Sequence, residues 1–212
     1  FSAAGATEKD VAAAAADDDD YADAAAAVFA SAASNYDDAF DWQDGWQGQN
    51  NSNWYAYQTV KGNFGMEIEC SNNNNAFFPK VTNITLKRAA GTVPEIAGAI
   101  EIDAFQFKKE ANGDFSNIVI DGYGNYTEGA TVYQGAAVKI QDATTNTNQV
   151  AGSKVKLTNV KITNTTVTTP VGATSSIVVV FPAGNFTTST TATGASLTTG
   201  AWATAEGANL LQ

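Results

Sequence analysis

Between Thr59 and Phe181 apolar residues recur mostly at every second position, the spacing of strands with one face turned inward. Phe64, Met66, Ile68 and Cys70 share one face of such a segment and Glu67 and Glu69 the other, which assigns Cys70 to the core. Val81 to Arg88, Ile96 to Lys109, Phe115 to Ile120, Ala130 to Gln141, Lys154 to Thr168, Ser176 to Phe181 and Leu197 to Thr204 read as further strands. Two of these change phase part-way. Ile100, Ile102 and Ala104 give way to Phe105 and Phe107, which predicts a β-bulge, and Val155 and Leu157 give way to Val160 and Ile162. Asn112-Gly113 predicts a hairpin, Asn72 to Asn75 a polar turn, and Ile177 to Val180 a strand buried on both faces.

The pattern differs near the start of the chain. Tyr21, Ala25, Val28, Phe29, Ala32, Tyr36 and Phe40 recur mostly three or four residues apart, which predicts an amphipathic helix over residues 20–41. Asp17 to Asp20 stand where carboxylates cap free N–H groups and complement the positive helix end. Its bulky members Tyr21, Val28, Phe29, Tyr36 and Phe40 form a narrow face able to dock on the chain's own β-body or on a neighbouring copy. The expected organisation is an acidic, Ala-rich leader over residues 1–44 and a β-body over residues 45–212. The fold class expected is mainly β, a β-sandwich or single jelly roll of roughly eight to nine strands behind the N-terminal helix.

Charge follows the same division. Residues 1–44 hold eleven acids against Lys9, a net of -10, and the remaining residues hold eleven acids and ten bases, a net of -1. So acidic a chain is repelled by nucleic-acid phosphates and anionic lipid, so no nucleic-acid partner is expected, and no apolar run is long enough for a membrane span.

Candidate chemistry is sparse. The chain has no histidine, which excludes Ser-His-Asp and Cys-His arrangements and the usual zinc sites, and Cys70 has no partner for an intrachain disulfide. Gly122-Tyr123-Gly124 reads as a turn, not a phosphate loop. Glu67, Glu69, Glu101 and Asp103 could pair for glycoside cleavage, yet solvated strand faces account for the same residues. Asp17 to Asp20 and Asp37, Asp38, Asp41 and Asp44 are oxygen-rich without the spacing of a calcium loop. The expectation is no catalytic residue, no metal and no cofactor.

Two groups of residues point elsewhere. Trp42, Trp46, Trp54 and Tyr55 lie among Gly, Gln and Asn, either as a packing plug between helix and sheet or as a stacking platform for glycans. Asn50, Asn83, Asn125, Asn164 and Asn185 open Asn-x-Ser/Thr acceptors for glycosylation, as suits an exported protein. Phe1 ahead of a helical leader and a β-domain resembles the layout of type IV pilins, but SAAGATEKDV follows where that family has its apolar stalk, so none of its functions carries over. The functional expectation is a non-enzymatic structural subunit of a repeating extracellular, cell-surface or virion assembly, with copies of itself as partners. The alternative is a carbohydrate-binding or adhesin module built on the tryptophan segment.

Overall fold

The alternating stretches become strands, and each pairs in parallel with a strand of the preceding turn of the chain. The computed structural model describes residues 38–42, 51–58, 62–70, 78–93, 102–174 and 177–196. The short strands β1 (Phe40–Trp42), β3 (Met66–Glu69), β5 (Phe105–Lys108) and β9 (Val138–Ile140) form one sheet. The longer β2 (Asn51–Gln58), β4 (Lys80–Arg88), β6 (Gly113–Asp121) and β10 (Val155–Thr163), with β11 (Phe186–Thr188), form a second. All pairings in both sheets are parallel. The antiparallel pair β7 (Tyr126–Glu128) and β8 (Thr131–Tyr133) stands apart, and a helical turn α1 (Ala143–Thr145) leads into a π turn over Asn146–Val150. The chain thus passes from short strand to long strand and back, laying each rung on the last as a β-solenoid.

The mainly β expectation is met; the antiparallel sandwich or jelly roll is not what the described residues form. A period of two reports which face is inward and is silent about the pairing partner. Asn112-Gly113 shows the difference. It closes no hairpin, because β5 and β6 belong to different sheets. Gly113, at φ 147°, turns the chain from one sheet to the other, where a Cβ would lie 2.6 Å from the Phe115 ring.

Like positions stack across rungs to make the core. Trp54, Ile84, Ile118 and Val160 are in register, as are Val81, Phe115 and Leu157, and all are buried. Met66, Phe105 and Val138, then Ile68, Phe107 and Ile140, do the same from the other sheet. Phe115 meets Phe105 and Phe107 edge-on at centroid distances of 5.8 and 5.7 Å, joining the two sheets through the interior.

The phase change in β10 is a corner. Asn159 has φ 56°, and Asn53, Asn83 and Asn117 hold the same left-handed conformation at 64°, 59° and 53° in the strands before it. Asparagine tolerates that region better than other residues with a Cβ. The four amides form a ladder: Asn83 Nδ2 donates to Asn53 Oδ1 at 3.2 Å, Asn117 to Asn83 at 2.7 Å and Asn159 to Asn117 at 3.2 Å. The chain after β11 then runs back along this ladder, with the N–H groups of Thr193, Ala195 and Ser196 donating to Asn117 Oδ1, Thr85 Oγ1 and Asn53 Oδ1. Asn117→Ala removes several of these bonds and leaves an unfavourable φ, so it should cost about 2–3 kcal/mol. Asn117→Gly should cost roughly 1 kcal/mol less because it relieves the backbone. Equal losses in denaturant melts would show that the amide alone matters.

Three further expectations are corrected. Phe40 and Asp41 lie in β1 rather than at the end of a helix, and Phe40 stacks on Trp54 at 4.9 Å. Of Ile96 to Lys109, residues 96–101 lie outside the described residues, and over residues 102–109 the strand starts at Phe105, so the phase change falls at the entry into β5, with Ala104 buried just before it. Ile177, Val178 and Val180 are exposed, and only Val179 of that run is buried, because this segment folds back on Val171 at the end of the solenoid. The helix up to residue 37, the turn at Asn72 to Asn75 and the strand from Leu197 lie outside the described residues.

Candidate functional site on the short-strand sheet

Parallel register converts positions far apart in sequence into columns on the outer face of the short-strand sheet. Asp41, Glu67, Gln106 and Lys139 occupy one column across β1, β3, β5 and β9, and Glu69 stands opposite Lys108 in the next. Their neighbours Phe40, Met66, Ile68, Phe105 and Phe107 point inward, which forces these polar side chains outward. They are not solvated, however. Glu67, Glu69 and Gln106 are buried, so β3 is enclosed on both faces.

Burial of carboxylates requires compensation, and lysines supply it. Lys108 Nζ lies 2.7 Å from Glu67 Oε1 and 3.1 Å from Glu69 Oε2, and Lys109 Nζ lies 3.0 Å from Glu69 Oε2. Burial disfavours the Lys108 ammonium, but the hydrogen bonds and charges of Glu67 and Glu69 outweigh it and hold its pKa above the ordinary lysine value. Asp103 pairs with Lys139 at a looser 3.7 Å and accepts the Ala136 N–H at 2.8 Å. There burial prevails, and the Asp103 carboxyl is pushed above its ordinary value despite Lys139.

Among the described residues Asp38, Asp41 and Glu67 bring carboxylate oxygens within 4.8 Å of one another. Asp38 Oδ1 also accepts the Phe64 N–H at 2.7 Å. Three converging carboxylates are half of what a calcium ion takes, so the remaining oxygens would have to come from water or elsewhere. Sequence reasoning grouped Asp38 and Asp41 with Asp37 and Asp44 and missed Glu67. Only the pairing of β1 with β3 brings Glu67 beside Asp41.

The other candidates disperse. Trp54 and Tyr55 are buried, Trp42 closes β1, and Trp46 lies outside the described residues. Tyr21, Val28, Phe29 and Tyr36 and the acceptor Asn50 also lie outside them. Asn83 is engaged in the ladder, Asn185 is buried, and Asn164 donates to Asp121 Oδ1 at 2.7 Å. Asn125 stands exposed in the turn before β7. Beside it a cleft of about 460 Å³ opens between Tyr57, Lys87, Asp121 and Tyr126, with Lys87 Nζ 5.1 Å over the Tyr57 ring. Arg88 at its margin is committed to the fold, donating to the carbonyls of Asn63 at 2.6 Å and Gly62 at 2.7 Å. No sequence pattern singled out this cleft, since its residues come from four separate rungs.

The parallel two-sheet coil agrees with the comparison to known families, in which the pectate-lyase like beta helix domain matches residues 14–206. The chain belongs to that family. No curated protein and no solved structure matches it. Membership assigns the β-helix architecture, in which a stack of rungs carries whatever chemistry its outer faces and turns present.

Proposed function

We propose that this β-helix is a non-enzymatic structural subunit of a repeating extracellular or virion assembly. The observation that carries the reading is the condition of the charged face: Glu67, Glu69, Lys108 and Lys109 neutralise one another in ion pairs, with both glutamates buried. An acid or base must reach a substrate, and these groups are spent on holding rungs together. In-register packing and the asparagine ladder favour the same role, since a rigid stack of rungs suits a building block. Electron microscopy of the native material, paired with a pectate-cleavage assay, tests the proposal. Regular particles without cleavage are expected; cleavage of pectate that is lost in Glu67→Gln would overturn it.

A carbohydrate-binding module is the second reading, favoured by the cleft of Tyr57, Lys87 and Tyr126. Aromatic faces and a cation suit a hydroxylated ring better than they suit packing against another copy. Saturable glycan binding abolished by Tyr57→Ala would select it.

A further inference from the structure

The described residues carry four strongly exposed large apolar side chains: Val132 at 55%, Ile177 at 54%, Val178 at 66% and Val180 at 79%. They gather at one place. Val171 pairs with Lys139 of β9 and then, antiparallel, with Val178, so residues 177–180 form the last edge of the short-strand sheet. Val132 lines a pocket of about 320 Å³ that Val171, Gly172 and Thr174 also line, and Ile177 lies directly against Gly172. Among the described residues no strand continues the sheet beyond this edge. An open sheet edge with outward valines is a surface that proteins normally cover or blunt with charge.

We propose that this edge receives the acidic leader, residues 1–37, of a second copy of the chain. Charge complementarity is the first argument. Residues 1–37 hold eight acids against Lys9, whereas the last rung of the body carries Lys154, Lys156 and Lys161 on and beside β10 of the neighbouring sheet against Asp142, its Lys139 being paired with Asp103. Chain geometry is the second. The leader joins the body at β1, the first strand of the sheet, and the valine edge lies past β9, the last. Donor and acceptor therefore stand at opposite ends of one body, the arrangement of a heterologous contact that propagates instead of closing. The leader's apolar residues Tyr21, Val28, Phe29 and Tyr36, which share one face at helical spacing, supply the matching surface.

The inference rests on the reading of the chain as an assembling subunit. It is tested on the full chain by sedimentation velocity over a concentration series and by negative-stain microscopy. Wild type should form linear oligomers that dissociate in high salt. Val178→Asp/Val180→Asp and, independently, Lys154→Glu/Lys156→Glu should need at least about tenfold more protein to assemble, with unchanged melting temperatures. Wild-type particles formed equally well by both variants would remove this edge from the contact while leaving the assembly reading intact. A wild type that stays single at every concentration would overturn both. Single molecules whose melting temperature falls in the valine variant would assign the edge to the chain's own leader.

Discussion

Phe115→Ala should lower the stability of the folded chain by about 3–5 kcal/mol and its melting temperature by roughly 10 °C. Phe115 is fully buried in β6 and meets both aromatic rings of β5, so it links the long-strand sheet to the short-strand sheet at the middle rung. Removing the ring deletes two edge-to-face contacts and leaves a void that the stacked rungs above and below prevent from closing. Val81 and Leu157, its neighbours in register, are fixed by their own ladders and cannot move in without breaking them. Phe115→Leu keeps most of the volume and should cost clearly less. Chemical denaturation of both variants decides the matter. A loss for alanine under about 1 kcal/mol would mean that the interior is not closely packed there.

Much of this core was legible in the sequence, because an inward face repeats every second residue whatever the strand pairs with. Met66, Ile68, Leu86, Ile118 and Cys70 are buried as their alternation implies. The architecture was not legible, because antiparallel and parallel sheets share that period. The signal that distinguishes them was present as Asn53, Asn83, Asn117 and Asn159, spaced 30, 34 and 42 residues apart. The irregular turns between rungs change that spacing and conceal the repeat. The site was obscured for a related reason. Glu67 and Glu69 alternate with apolar residues as a solvated face would, and nothing local to them reveals Lys108, 41 residues away from Glu67, or the cover that makes them buried. The exposed valines mark the converse case: an unbroken apolar run signals burial in a sheet interior, yet here it forms the edge where the sheet stops.

Lys108→Met should also destabilise strongly, by about 3–5 kcal/mol at neutral pH, because it withdraws the cation from two buried carboxylates at once. Glu69 retains Lys109 at 3.0 Å, whereas Lys108 is the one cation paired with Glu67 among the described residues. The pH dependence identifies the cause. In wild type the raised Lys108 pKa means that its stabilising effect is complete below the unfolded value of 10.5 and is lost as pH rises through the higher folded value. The variant lacks that alkaline limb. Glu67→Gln/Lys108→Met removes both charges and should recover most of the loss, since an uncharged pair of similar volume incurs far less desolvation. Denaturant melts of the three proteins across pH measure each of these effects. A single variant within about 1 kcal/mol of wild type at neutral pH would show the network to be screened like a surface salt bridge. It would also withdraw the support that paired, buried charges lend to a structural role, because carboxylates so accessible to water would again be available to act on a substrate.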